Sequence, residues 1–447
     1  MASTFVNMSS KQTDYLVIGA GAMGLAFADE IFHLSPKAKI TIVDRRSQVG
    51  GHWVDAYPFV RLHQPAAFYG VNSKKLGNDT ADLSSKSEIL TYYKQVQSKL
   101  ENSGQVEFLL EYEYKGDGQV VSLKDPSKGL RYQVHRRIVD ASYMNVEVPS
   151  THPPKFEVDE GVHLVPLNSL VSEYDQWEHF CVIGNGKTGM DAVLFLLEKG
   201  VHEDQIQWIC PHQAWFFNRP ALQVGKVAKE ILAHAREMLS ASTVDDIFLA
   251  MEKSTGGITR LDTSTLPDKW RCATINPQEI AELRKIKQII NKGRVDKITT
   301  DTIQLREGEV AYAENTLFVN CTADGLAKRP SVPIFSDGKI TMQSILFCQQ
   351  VFSAATIAKL ELSNLSDKQK NRVIPLPHPE YKEDWPALLS EGVDNLLTLH
   401  KFFPLWMFRS RLNFMSHEPI LSYFYYSGQA MSLGAKLKKA KARFSPT

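Results

Sequence analysis

Tyr15-Leu16-Val17-Ile18-Gly19-Ala20-Gly21-Ala22-Met23-Gly24 is a short apolar run, then a G-x-G-x-x-G turn, then the start of a stretch, Met23–Leu34, that places Met23, Phe27 and Ile31 on one face. The apolar run reads as a strand, and the spacing after it reads as a helix. One glycine allows the tight turn, a second lets the backbone approach a pyrophosphate, and a third lets helix and strand pack closely. The helix N-terminus then favours the phosphate charge. The pattern returns at Phe180-Cys181-Val182-Ile183-Gly184-Asn185-Gly186-Lys187-Thr188-Gly189, ahead of a helix at Met190–Glu198 and a stop at Gly200. Two such units predict two dinucleotide sites with electrons relayed between them.

Composition fits this reading. The chain has 447 residues, 43% of them hydrophobic, so it can bury a large core and divide into two or three domains. A net charge of +1 argues against nucleic acid as a partner. The five cysteines (Cys181, Cys210, Cys272, Cys321, Cys348) are scattered, with no C-x-x-C or C-x4-C pair. That spacing predicts no zinc or other metal site, no disulfide framework and no redox-active pair of the disulfide-reductase kind. A reducing, cytoplasmic compartment is expected. Met1–Thr13 is polar, reads as a disordered tail and lacks a signal-peptide core, and no apolar run is long enough to span a membrane.

Outward from the first fingerprint, Ile40–Val43 is a second strand ending at Asp44, where an acid can accept hydrogen bonds from a ribose. Arg45-Arg46-Ser47-Gln48-Val49-Gly50-Gly51-His52-Trp53 follows, and adjacent glycines there let backbone N–H groups approach an anion or a ring system. In the second unit Ile206–Cys210 is the next strand, and Pro211-His212-Gln213 stands where the first unit has its acid. No carboxylate favours a free 2′-hydroxyl, while Lys187, His212 and Arg219 offer groups for a 2′-phosphate, so NADP is expected over NAD.

The acid-basic-x4-Gly-Gly-x-Trp run at 44–53 resembles that of FAD proteins of the flavin-containing monooxygenase superfamily, and Gly184–Asp191 resembles the superfamily's Gly-x-Gly-x-Ser-Gly-x-Asp. The resemblance spans most of residues 14–360 and implies an α/β fold of two Rossmann-like dinucleotide domains. The NADP domain is inserted in the FAD domain, with a small antiparallel sheet and a helical C-terminal part. The expected divisions are 14–147 (FAD, first part), 178–312 (NAD(P), with a helical insertion at 221–292) and 313–447 (FAD return and helical part). The resemblance implies FAD contacts from Gly19, Ala20, Gly21, Met23, Gly24, Asp44, Arg45, Gly51, His52 and Trp53. It extends them to the loop carrying Arg61, His63 and Gln64, and to Asp324 and Gly325 on the return. NADP contacts are implied for Gly184, Asn185, Gly186, Lys187, Thr188 and Gly189, with His212 and Arg219. His63 and Gln64 are the candidates for a catalytic role, by neighbourhood alone.

The remaining stretches read as follows. Ser87–Leu100 is an amphipathic helix, and Val106–Leu110, Tyr112–Tyr114, Val120–Leu123 and Tyr132–His135 form a small antiparallel sheet. Val148–Pro154 is a linker. Lys226–Leu239 and Thr243–Lys253 are helices, as is a stretch from Asn276-Pro277-Gln278-Glu279 to Gly293 with Ile280, Leu283, Ile286 and Ile290 as its stripe. Val295–Leu305 and Glu309–Ala311 pair as a hairpin, and Gln343–Glu361 is a long helix whose N-terminus would face the flavin.

The implied chemistry is NADPH reduction of FAD, then O2 activation as a flavin C4a-(hydro)peroxide that oxygenates a small organic substrate. The oxygenase linker signature F-x-G-x3-H-x3-[YW] is echoed only by Phe156, Gly161 and His163 at other spacing. A flavin reductase or oxidase without a stable peroxyflavin stays open beside the monooxygenase, as does a non-catalytic binding protein on an FAD fold. Substrate identity and oligomeric state are not readable.

Overall fold

The computed structural model describes residues 7–77, 83–323 and 325–444. Asp324 lies outside them. The first sheet has eight strands. Its backbone runs in the order Phe335–Ser336, Lys339–Thr341, Lys128–Asp140, Asn7–Ile18, Ile40–Asp44, Val106–Leu110. From Lys339–Thr341 to Val106–Leu110 every pairing is parallel. The central strands are buried on both faces and correspondingly apolar, as the Ile-Thr-Ile-Val-Asp of 40–44 shows. Helix Ala22–Leu34 lies against helix Gln350–Glu361, both largely buried.

The second sheet has five strands in the order Gln288–Ile290, Ile206–Ile209, His179–Ile183, Thr316–Asn320, Leu164–Pro166, all parallel. Its strands lie in sequence between those of the first sheet, so one nucleotide-type unit is inserted in the other. Thr316–Asn320, read from sequence as the return, pairs beside His179–Ile183 in this second sheet, and the chain rejoins the first sheet at Phe335. The short pair Val146–Glu147 and Gly325–Leu326 marks the two crossings.

The insertion is less helical than expected. Ile258–Arg260, Ala214–Asn218 and Lys269–Ile275 form a three-stranded sheet beside helices Val227–Ser240 and Val244–Ser254. Trp215, Phe248, Trp270, Trp385 and Leu437 share a core there, which joins the insertion to the C-terminal helices Trp385–Phe402 and Ile420–Lys441.

Several local expectations are corrected. Residues 7–13 are not a tail but extend the first strand, paired with Lys128–Val134. Val106–Leu110 is a parallel strand of the main sheet; only Tyr112–Gly116 and Gln119–Ser122 run antiparallel, against the start of Lys128–Asp140. The helix after Asn276 starts as read, the Asn276 side chain accepting from Glu279 N–H at 2.7 Å, but stops at Leu283. Gln288–Ile290 instead fills the open edge beside Gln207–Ile209, where β-branched residues and ladder hydrogen bonds favour strand. The hairpin at 295–311 is a three-strand meander. The helix expected from Gln343 starts at Gln350.

Candidate functional site

The two fingerprints adopt the same geometry. Gly19 and Gly184 have φ of +109° and +108°, a region costly for any residue with a Cβ. A Cβ on Gly24 would lie 2.0 Å from the Gly19 carbonyl oxygen, and one on Gly189 would lie 1.9 Å from that of Gly184. These glycines therefore exist for helix–strand contact. The middle glycines differ in kind. A Cβ on Gly21 would lie 3.4 Å from Gly51 Cα, and one on Gly186 would meet no atom within 4 Å. Gly21 and Gly186 are the N-caps of helices Ala22–Leu34 and Lys187–Glu198, which have no side-chain cap and no acid in the first turn. Helices Lys86–Glu101, Val244–Ser254 and Pro277–Leu283 all close their N-termini with capping boxes. The fingerprint helices thus leave N–H groups for an external anion.

Both of these N-termini open into one cavity of about 1,680 Å³. Gly19, Gly21, Met23, Asp44, Arg45, Gly51, His52 and Trp53 line it from the first unit, and Gly184, Asn185, Gly186, Lys187, Thr188 and His212 from the second. His63, Gln64 and Gly325 lie between. Ala20, Gly24 and Gly189 stand behind this wall, at the strand–helix turns.

Asp44 is 6% exposed, and its carboxylate accepts from Ala20 N–H at 2.7 Å and Arg46 N–H at 2.8 Å. Arg46 is itself held by Asp55. Burial, followed by the charge of Arg46, pulls His52 down to about 4, so its ring is neutral. Burial does the same to His63, helped by the nearby cations Lys187 and Arg219. His63 Nδ1 is buried without a hydrogen-bond partner. Gln64 Oε1 accepts from Gln349 Nε2 at 3.1 Å, which ties this loop to the N-cap of helix Gln350–Glu361. Tyr57 donates to Asp191 on the second fingerprint helix, so the two units touch across the cavity.

One part of the cavity wall is a cluster of neighbouring aromatic rings. Trp215, Phe217, His234, Phe347 and Trp385 line it. The indole N–H groups of Trp215 and Trp385 and the Nδ1 of His234 are buried without a partner. Aromatic rings and hydrogen-bonding groups without a protein partner therefore share this part of the wall, beside Glu230, whose carboxylate pairs with His234.

No family profile matches the chain. The uncharacterized protein Rv2000 of Mycobacterium tuberculosis is 40% identical over 436 residues, covering 91% of this chain and 80% of that protein. The chain belongs to one family with this mycobacterial protein. A shorter likeness, 33% over 99 residues (22% of this chain, 20% of the other), is to an Acinetobacter protein named "Probable FAD-binding monooxygenase AlmA". The polycyclic ketone monooxygenase of the fungus Thermothelomyces thermophila superposes with a TM-score of 0.53 at 10% identity, covering 98% of this chain and 89% of that one. The fold is therefore that of the two-dinucleotide flavin monooxygenases.

Within this family member, some residues singled out from sequence stand away from the cavity. Arg61 is exposed and donates to the Leu83 carbonyl at 3.0 Å. Arg219 is 5% exposed and forks onto Glu279 at 2.8 and 3.1 Å, clear of the cavity wall. Lys187 is paired with Asp191, and burial followed by the charge of Lys269 lowers His212, so neither is a free cation. The arginines of 178–312 that do line the cavity are Arg271, paired with Glu380, and Arg294 and Arg306. Arg294 follows the edge strand Gln288–Ile290, which pairs with Ile206–Ile209. Sequence reading passed over it because it falls between the expected helix end at Gly293 and the strand expected from Val295. The aromatic chamber was missed because its parts are scattered from 215 to 385.

Proposed function

We propose that the protein is an FAD- and NADPH-dependent oxidoreductase, a monooxygenase of a small, largely apolar organic substrate. The observation that carries this is the pair of uncapped helix N-termini opening into one cavity with glycine at both approach points. The backbone at Gly19–Gly21 would hold the FAD pyrophosphate, Asp44 the adenosine ribose, and Gly51–Trp53 the path of the cofactor beyond it. The backbone at Gly184–Gly186 would hold the second dinucleotide. Arg294 and Arg306 support a 2′-phosphate in place of Arg219. The sheet containing Asn7–Ile18 is then the FAD unit, and the sheet containing His179–Ile183 the NADP unit. When bound, FAD supplies two-electron chemistry between NADPH and O2. Burial keeps His52 and His63 uncharged in the cavity wall, and Trp215, Trp385 and His234 would orient the substrate's polar atom.

Purified protein should be yellow and release FAD on heating. NADPH should bleach it, and NADPH use in air should couple to oxygenated product. Gly186→Val is the sharper test, since a Cβ at this position meets no atom within 4 Å. FAD should stay bound while reduction by NADPH slows on the order of a hundredfold. Failure to bind FAD overturns the proposal. Stoichiometric H2O2 with every substrate tried overturns the oxygenase part alone.

A further inference from the structure

The aromatic part of the cavity wall holds a buried histidine whose two nitrogens stand in different surroundings. His234 and Glu230 lie one turn apart on helix Val227–Ser240 and are 1% and 6% exposed. His234 Nε2 is 2.9 Å from Glu230 Oε1, and the Thr255 hydroxyl donates to the same oxygen at 2.7 Å. Gly257 leaves the carboxylate its place, since a Cβ there would lie 1.4 Å from Glu230 Oε1. Burial opposes the charge of Glu230, but its bonds to His234 and Thr255 outweigh burial and hold the carboxyl below its usual range. An ionised carboxylate only accepts, so Nε2 carries the proton, and Nδ1 of the neutral ring is an acceptor. That Nδ1 is buried with no hydrogen-bond partner among the described residues.

A second unmet group sits on the neighbouring ring. The His234 and Trp385 ring centroids are 5.6 Å apart, and the rings meet at 75°. Trp385 is 2% exposed, and its indole N–H also has no partner among the described residues. Phe217 stands 6.0 Å from each of the two rings, stacked on His234 and edge-on to Trp385. Phe347 lies 6.0 Å from Trp385, and its ring rests against Gly392, where a Cβ would come within 2.9 Å of it. All four rings line the cavity. The two phenylalanines offer neither nitrogen a partner. One acceptor and one donor, both buried and both unmet, thus stand on adjacent rings within an apolar frame. Folded chains seldom leave buried polar groups in this state unless a ligand or water meets them.

Resting on the reading of this cavity as the substrate site, we propose that the group received between His234 and Trp385 is a hydroxyl carried on an apolar body, as in a phenol or an alcohol. A hydroxyl oxygen can donate to His234 Nδ1 and accept from the Trp385 indole N–H at once. A ketone or ether oxygen only accepts, so it would satisfy Trp385 and leave Nδ1 unmet. An aliphatic amine is a cation at neutral pH and has no lone pair for the indole. The rings of Phe217 and Phe347 then cover the apolar body, where area removed from water contributes to binding. Specificity comes from the unmet nitrogen, because a ligand without the O–H leaves that buried acceptor unpaired.

The test uses the full-length protein as purified and three probes on one skeleton, namely naphthalene, 2-methoxynaphthalene and 2-naphthol, with dissociation constants from calorimetry. Wild type should bind 2-naphthol about tenfold tighter than 2-methoxynaphthalene, which accepts but does not donate. His234→Phe should abolish that difference and leave naphthalene binding as it was. Trp385→Phe should weaken both oxygen-bearing probes more than naphthalene. Equal affinity of wild type for 2-naphthol and 2-methoxynaphthalene overturns the proposal, and so does a preference for 2-naphthol that survives in His234→Phe. The first of these comparisons needs no variant to fold. FAD content and bleaching by NADPH are measured on the same samples. Protein that carries FAD and is bleached, yet binds the two probes equally, refutes this inference alone, whereas protein that cannot bind FAD refutes the flavin reading.

Discussion

A glycine in a G-x-G-x-x-G turn can serve the fold or the ligand, and the space around each separates the two roles. Gly24 and Gly189 serve the fold, because any Cβ there would overlap a backbone oxygen. Gly186 serves whatever approaches it. Gly24→Ala should therefore destabilise the protein by about 3 kcal/mol through overpacking, seen as a lower urea midpoint with unchanged slope. Gly186→Ala should leave that midpoint within about 0.5 kcal/mol of wild type. Equal losses at both sites would mean that Gly186 is also a packing residue. At this scale the sequence was highly legible: the glycines and Asp44 stand where local spacing put them. Arg219 was not, because its partner Glu279 lies 60 residues away and turns a candidate phosphate ligand into a buried ion pair.

Elements were legible where local signals act alone. The capping box at Asn276 starts its helix as read, yet Gln288–Ile290 answers to a sheet edge rather than to its own periodicity. Another element depends on a side chain from far along the chain. The Arg411 guanidinium donates to the carbonyls of Ala67 (2.7 Å), Tyr69 (2.6 Å) and Val71 (2.7 and 3.0 Å). It thereby shapes the 66–71 turn that sets Phe68 and Tyr69 in the cavity wall. Tyr69 in turn accepts from the Trp53 indole at 2.7 Å. Arg411→Met would leave buried carbonyls unpaired, at a cost of about 3 kcal/mol. Chemical denaturation should show that loss, and near-ultraviolet dichroism should show a changed Trp53 environment. A variant as stable as wild type would mean that water replaces the guanidinium without cost.

At the scale of the molecule, Glu380 gathers cations from separate segments: Lys269 at 3.2 Å, Arg271 at 2.7 Å and Lys328 at 2.6 Å. Burial raises its pKa, but these three partners outweigh it and hold the carboxyl at about 2, against an ordinary value near 4.5. A carboxylate depressed on folding stabilises the native state above its unfolded pKa, and that contribution is lost as pH falls through the folded one. Thermal melts from pH 5 to pH 2 should therefore fall more steeply for wild type than for Glu380→Gln, with the two curves converging near pH 2. Parallel curves would show that the cluster contributes no net stability.

The sequence by itself determined the two nucleotide-type units, their order and the two turns, because strand, glycine turn and helix are set by residues a few positions apart. The tertiary structure decided what surrounds those turns. It brought Trp215, Phe217, His234, Phe347 and Trp385 to one cavity wall, and it put Arg294 and Arg306, but not Arg219, on that cavity's lining. Those side chains meet because segments far apart in sequence pack on the same cavity, and proximity in a folded chain does not require proximity along it.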